Sequence, residues 1–244
     1  MYDLPYYAAF RDGSRKSAQV IVPLIMQWTA PDSVLDLGCG VGDWLSVFKE
    51  AGVREIHGVD GDYVRGEQLA ISERDFSAHD LITPYLAGRR YDLAISMEVG
   101  EHLPAASAPC LVHSLIDAAP LVLFSAAIPN QPGKSHVNCQ WPVYWADLFA
   151  ESGYIPIDAL RLRLWKDSRV DWWYRQNIMI YASEKDLDRW PKLKALRDPE
   201  VRTPLSLVHP EMLQQIHHDL VEWGAEWERK YWEAWEQERR RANA

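Results

Sequence analysis

The segment Val34-Leu35-Asp36-Leu37-Gly38-Cys39-Gly40-Val41-Gly42-Asp43 runs from apolar residues into a glycine-rich turn, and Ile56-His57-Gly58-Val59-Asp60 follows as a second apolar run closed by an isolated acid. Strand, turn, helix-like segment and strand in that order describe a β–α–β unit, the building block of a parallel sheet with helices on its faces. Glycine has no Cβ and tolerates positive φ, so the turn brings backbone N–H groups close to a ligand. A carboxylate at the end of the second strand can hydrogen-bond both hydroxyls of a ribose. The pattern points to an adenosine-containing cofactor, and so to an enzyme before any other class. The plainer reading, a junction that needs glycine only for packing, leaves the joint occurrence of Asp36, three glycines and Asp60 unexplained.

Two cofactor types compete for such a turn. A dinucleotide site has the form G-x-G-x-x-G, with pyrophosphate at the helix N-terminus. Here Gly38, Gly40 and Gly42 alternate with other residues, and position 43 is an acid that would repel a pyrophosphate. Asp36 and Asp43 suit a zwitterion instead, such as the amino-acid end of S-adenosylmethionine. On these residues the chain resembles the class I S-adenosylmethionine-dependent methyltransferases, whose first motif reads D-x-G-x-G-x-G. The resemblance implies cofactor contacts at Asp36, Gly38, Gly40, Gly42 and Asp60. It also implies that Asp80 and Leu81, after the third strand, bind the adenine.

The 244 residues are enough for one large α/β domain with an appendage. The net charge of −9 argues against a nucleic-acid partner, because polyanion binding favours a basic surface. The three cysteines, Cys39, Cys110 and Cys139, form no disulfide framework and suit a reducing, cytoplasmic setting. His136 and Cys139 are three apart, but no second pair completes a zinc site, so no metal is expected. Met1 to Ser17 lacks the apolar core of a signal peptide. The longest apolar stretch, Leu121 to Ile128, is too short to span a bilayer, so no membrane partner is expected.

Along the chain, Val20, Ile21, Leu24, Ile25 and Trp28 have helical spacing, with Ser14 as the expected cap and Pro23 as a kink. Strands are predicted at Ser33–Leu37, Arg54–Val59, Arg74–Ala78, Tyr91–Ser96 and Leu121–Ser125. Helices are predicted at Asp43–Ala51, Tyr63–Ile71, Ala105–Ala118 and Trp141–Ser152. Tyr154–Trp165 and Val170–Ser183 read as two further strands joined by Lys166-Asp167-Ser168, a connection short enough to require an antiparallel pair. The expected fold is α/β: a doubly wound, Rossmann-like, mostly parallel seven-stranded sheet finished by an antiparallel hairpin, with a C-terminal helical extension. The cofactor domain is placed at residues 1–183 and the extension at 184–244. In the extension Leu213, Ile216, Leu220, Trp223, Trp227, Tyr231 and Trp235 make one stripe at helical spacing. That stripe suits packing on the chain's own domain, a homodimer contact, or an aromatic lid over a substrate.

Ligands of such sheets sit at the carboxyl ends of the strands. There the fourth strand runs into Met97-Glu98-Val99-Gly100-Glu101-His102-Leu103-Pro104 and the fifth into a long loop, Ala126 to Gln140. Long loops in compact domains are often functional. Phe124-Ser125-Ala126-Ala127-Ile128-Pro129 and His136-Val137-Asn138-Cys139-Gln140-Trp141-Pro142 in this region, with Trp173-Tyr174-Arg175-Gln176-Asn177 later, resemble a bacterial methyltransferase subgroup of pattern FSAAIP-x-Q-x-G-x-x-HVNEQWP-x-YW. Cys139 departs from that pattern, which usually has Glu there, and Gly100 stands where Ala is often found. If that Glu positions a substrate, this chain has a changed preference.

The resemblance places Glu98 beside the transferred methyl. His136 is the first candidate for general base and His102 the second, since imidazole accepts protons near neutral pH. The plainer alternative for both is a structural hydrogen bond that shapes a loop. Asn138, Gln140, Trp141, Tyr174, Arg175 and Asn177 are candidates to contact the acceptor, Arg175 favouring a carboxylate or phosphate. The leading function is methyl transfer to a small-molecule or sugar-containing acceptor, at oxygen before nitrogen. A nicotinamide-dependent oxidoreductase and a non-catalytic scaffold working through the tryptophan helix remain the competing classes.

Overall fold

The computed structural model describes residues 4–64, 66–199 and 203–242. Helix α1 (Leu4–Thr29) leads into strand β1 (Ser33–Leu37), helix α2 (Asp43–Glu50), strands β2 (Glu55–Asp60), β3 (Phe76–Ala78) and β4 (Leu93–Met97), helix α3 (Ala108–Ala118) and strand β5 (Leu121–Ser125). Helix α4 (Pro142–Ala150), strand β6 (Tyr154–Ile157), helices α5 (Arg161–Leu164) and α6 (Trp172–Asn177), strand β7 (Met179–Ser183), helix α7 (Pro191–Lys194) and helix α8 (Pro210–Ala242) complete the chain. The seven strands form one sheet in the order β3-β2-β1-β4-β5-β7-β6. β7 pairs antiparallel with both β5 and β6, and every other pairing is parallel. The order reverses between β1 and β4, which opens a crevice at their carboxyl ends.

Alternation along each strand divides the core. Leu121 and Leu123 face one side, with Val34, Ile95 and the apolar stripe of α1 and α2. Val122 and Phe124 face the other, with Leu35, Leu37 and the buried residues of α3 and α4. Both faces are covered, so β1, β4 and β5 are buried at every position and read as continuous apolar runs rather than alternating ones.

Four expectations change. α1 begins at Leu4, so Ser14 lies inside it rather than capping it. The helix expected over Tyr63–Ile71 is, among the described residues, a single short turn at Gly66–Gln68; flanking Gly61 and Gly66 disfavour a helix there. The two long strands expected over 154–165 and 170–183 shrink to β6 and β7, with α5 and α6 between them. Val170, Tyr174 and Ile178 are all buried at four-residue spacing, as are Leu160 and Leu164, and that is a helical period. The density of tryptophan and tyrosine gave these segments a strand-like composition that masked it. The antiparallel relation of β6 to β7 stands, but a helical connection makes it instead of a tight turn. Arg175, Gln176 and Asn177 therefore sit on a helix, not a strand.

Leu187, Trp190 and Leu193 pack into the α1 side of the core, so the chain stays with the main fold well past residue 183. Beyond it, α8 touches the core, among the described residues, at its start. Met212 is 3% exposed, whereas Leu213, Leu220, Trp223, Trp227, Tyr231 and Trp235 are all exposed. Among the described residues no helix is long and apolar enough to cross a membrane.

Arg161 fastens the rebuilt connection. Its guanidinium is fully buried, donates Nη2 to Asp158 Oδ2 at 2.6 Å and Nη1 to the Leu205 carbonyl at 2.8 Å. Removing one partner of a buried ion pair typically costs about 3–5 kcal/mol. Because Asp158 keeps some solvent contact, Arg161→Ala is expected to lower the unfolding free energy by ~3 kcal/mol in a urea titration; a loss below ~1 kcal/mol would show that the pair is dispensable.

Candidate active site

The crevice between β1 and β4 is a cavity of about 1060 Å³. One end is built by the glycine turn. Gly38 takes φ 90°, and a Cβ there would come within 2.3 Å of the Val99 side chain. Both the conformation and the close approach therefore require glycine. Gly38 and Cys39 donate their N–H groups to the Val59 carbonyl at 2.8 and 3.1 Å, which locks the turn onto β2. The Asp60 carboxylate accepts from Gly40 N at 2.6 Å, from Gly61 N at 2.7 Å, and from the Tyr63 hydroxyl. Asp36 is 2% exposed and its Oδ1 has no hydrogen-bond partner. Burial first, and then the Asp60 charge, push its carboxyl well above the usual range. A cationic group against Asp36 would relieve both effects.

The other end gathers around β4 and the long loop after β5. Glu98 takes φ 55°, a left-handed conformation uncommon outside glycine, and its N–H donates to the Ser125 carbonyl at 2.9 Å. Its carboxylate accepts from Gln131 Nε2 at 3.0 Å and from Asn177 Nδ2 at 3.1 Å. Asn177 and Gln176 both donate to Gln131 Oε1, and Gln176 Oε1 accepts the His209 N–H at 2.7 Å. Burial raises the Glu98 carboxyl even though Asn177, Ser125 and Gln131 oppose it. Three residues on, Glu101 is fully buried and is pushed well above the ordinary carboxylate range, by burial first and the Glu98 charge second. His102 and His136 meet edge to face, ring centroids 5.0 Å apart. Burial, followed by His136, lowers His102 to about 4, and burial lowers His136 as well.

The cavity brings together Asp36, Gly38, Gly40, Asp60, Asp80, Leu81, Glu98, His102, His136 and Tyr174. Gly42 lies behind the lining as the N-cap of α2. Asp80 shapes its own turn, with Oδ1 accepting the Ile82 N–H at 3.0 Å. Asn138, Gln140 and Trp141 stand off the wall. Asn138 is buried, donates to the Gly100 carbonyl at 3.2 Å and accepts from Gln140 at 3.0 Å. Together with the Val137 and Asn138 N–H groups on the Glu101 carbonyl, it staples the loop to the Gly100–His102 turn. Trp141 is the 38%-exposed N-cap of α4.

Arg175 is buried and donates to the Trp165 carbonyl at 3.0 Å and to Glu211 at 2.8 Å. It ties α6 to α8 and does not line the cavity. Asn177 reaches the site through Glu98 and Gln131. Sequence reasoning gave no cavity role to Glu101, Gln131, Tyr63, Trp172 or Trp173, which all line it. Glu101 and Gln131 lie within the quoted motifs, where the spacing from Glu98 to Glu101 was the available signal. Tyr63 left none, because its position depends on a turn that was expected to be a helix.

Comparison with known proteins agrees with this architecture. The family profile described as a methyltransferase domain matches residues 11–190. No curated protein sequence matches the chain. Among solved structures, an O-methyltransferase family protein from Burkholderia thailandensis is similar at TM-score 0.53 and 13% identity, over 75% of this chain and 60% of that one. A magnesium protoporphyrin IX methyltransferase from Synechocystis with bound SAH is similar at TM-score 0.53 and 16% identity, over 75% of this chain and 89% of that one. The plantazolicin methyltransferase in complex with SAH is similar at TM-score 0.52 and 13% identity, over 74% and 88% of the two chains. At such identities the likeness is one of fold. The chain spans about three fifths of the length of the first solved structures it matches (58%, 60% and 60%). With a profile match running over well more than half of its length, the chain belongs to the methyltransferase domain family.

Proposed function

We propose that this protein transfers a methyl group from S-adenosylmethionine to a small-molecule acceptor, at oxygen. The observation that carries the reading is a single cavity with two chemically distinct ends: an adenosine-type end at Asp36, the glycine turn and Asp60, and a carboxylate–histidine end at Glu98, Glu101, His102 and His136. The residues present fit the cofactor. The unpartnered, buried Asp36 oxygen suits the ammonium of its amino-acid end, and the acidic mouth of α2 at Asp43 disfavours a pyrophosphate. Asp60 takes the ribose hydroxyls, and Asp80 with Leu81 flanks the adenine.

When bound, the cofactor supplies a methyl on a positive sulfur: the O–C bond forms as the C–S bond breaks, and that electron pair stays on sulfur. The chain's own residues hold the acceptor oxygen in line with that carbon, an effect that can supply ~7–11 kcal/mol. The acceptor's proton passes to the histidine pair. His136 Nδ1 donates to the Gln131 carbonyl at 3.2 Å, because a carbonyl can only accept, and this leaves the Nε2 lone pair for a proton. Tyr174, Trp172 and Trp173 give the cavity an aromatic wall that suits a planar or sugar ring.

Asp60→Ala is expected to weaken S-adenosylhomocysteine binding about 10- to 150-fold in calorimetric titration, the loss of a charge-assisted hydrogen bond worth ~1.5–3 kcal/mol. Tighter binding of NAD than of S-adenosylhomocysteine by the wild type would sink the assignment. In an acceptor screen with tritiated S-adenosylmethionine, His136→Ala should lower kcat by about 10²–10⁴ while cofactor affinity holds; an unchanged kcat would remove His136 from the chemistry.

A further inference from the structure

We infer that Glu101, His102 and His136, with Glu98 beside them, form a binding site for one divalent transition-metal cation. One ligand atom from each of the three lies within 4.8 Å of the others. A cation bound at ~2.1 Å needs its ligands roughly 3–3.4 Å apart, so closure takes a side-chain adjustment on the order of 1 Å. His136 and Cys139, the pair noted from sequence spacing, do not make this site. His136 instead meets two residues from the turn after β4.

Three independent features point to a cation. The first is Glu101. Its own N–H, that of Ala127 and the Glu98 carboxyl lie around it, yet neither carboxylate oxygen makes a hydrogen bond of acceptable geometry and the residue is fully buried. This carboxylate lacks the partners that burial demands. Glu98 differs, since Gln131 and Asn177 donate to it.

The second feature is the histidine orientation. His136 Nδ1 donates to the Gln131 carbonyl at 3.2 Å. Metal-binding imidazoles are typically held this way, one nitrogen donating to a carbonyl and the other presenting its lone pair. The third is position, because all four residues line the cavity that holds the cofactor end. Two imidazoles and a carboxylate suit manganese, iron, cobalt or zinc better than magnesium or calcium, which favour all-oxygen sites.

The consequence rests on the methyl-transfer reading, although the site itself does not. An acceptor hydroxyl bound to the cation loses its proton to solvent more readily, as water does on a bound divalent metal. His102 and His136 then act as ligands, and the cation takes over the task of generating the oxygen nucleophile.

The test uses the full chain, stripped with EDTA and dialysed. MnCl₂ is titrated with free Mn²⁺ followed by electron paramagnetic resonance, and ZnCl₂ is titrated by calorimetry. One cation per chain is expected, with affinity at least about tenfold weaker in Glu101→Gln and in His136→Ala. S-adenosylhomocysteine binding, measured on the same samples, reports that each variant is folded. His136 lies on a half-buried loop, so its variant serves even if the buried Glu101→Gln misfolds. No saturable binding of either cation overturns the proposal, as does binding that a folded His136→Ala keeps unchanged. Wild type that binds a cation but not S-adenosylhomocysteine would overturn the methyl-transfer reading and leave the metal site standing.

Discussion

The half-buried carboxylate of Glu98 is the point on which the active-site end of this fold depends. It sits just past the last residue of β4 in a left-handed conformation. From there it accepts hydrogen bonds from the loop after β5, through Gln131, and from α6, through Asn177. Gln176 extends the network to the backbone of His209, just before α8. Four segments far apart in sequence are thus joined in one hydrogen-bond network. Hydrogen bonds to a charged acceptor are stronger than neutral ones, and removing any donor would leave a half-buried carboxylate short of partners. The strain at Glu98 and the satisfaction of its oxygens belong together, because such a conformation persists only where its surroundings over-determine it.

The opposite end of the cavity uses backbone rather than side chains. The Val59 carbonyl takes both Gly38 and Cys39, and the Asp60 carboxylate takes Gly40. β2 thereby fixes the shape of the turn that leaves β1. Asp36 stays buried beside it with one oxygen unpartnered. Each end of the cavity therefore contains a carboxylate, Asp36 at one and Glu101 at the other, that the fold buries without satisfying. Both burials are unfavourable for the chain alone, and a positively charged partner at either carboxylate would relieve them.

Cys139 gains a meaning in this setting. Its thiol is raised to about 11, by burial first and then by Glu101 and Glu98, so it stands beside the two carboxylates as a neutral group. A third carboxylate there, as in the related pattern, would add a third negative charge to the same corner. The departure that was visible in sequence thus falls beside the functional cluster, where it changes the local charge. The aromatic stripe of α8 is different. Met212 is buried near its start while Trp223, Trp227 and Trp235 remain exposed, so among the described residues the helix reaches the cavity through Gln215 and is tied to α6 through Glu211 and Arg175, not through its tryptophans.

The sequence by itself determined the five strands through β5, the glycine turn and the acids at the strand ends. These follow from local rules: strands buried on both faces are continuous apolar runs, and a turn that must admit a ligand and a helix start needs glycine. It also carried the departure at Cys139 and the Glu98–Glu101–His102 spacing. Only the tertiary structure decided that Trp172–Asn177 is a helix, that Arg175 is an anchor, and that Asn138 and Gln140 staple a loop instead of facing the acceptor. Those outcomes depend on which partner each polar side chain finds, and the partners are distant in sequence: Asn177 with Glu98, Gln176 with His209, Asn138 with Gly100. A residue's type limits what it can bond, but only the packed chain sets which groups come within hydrogen-bond reach.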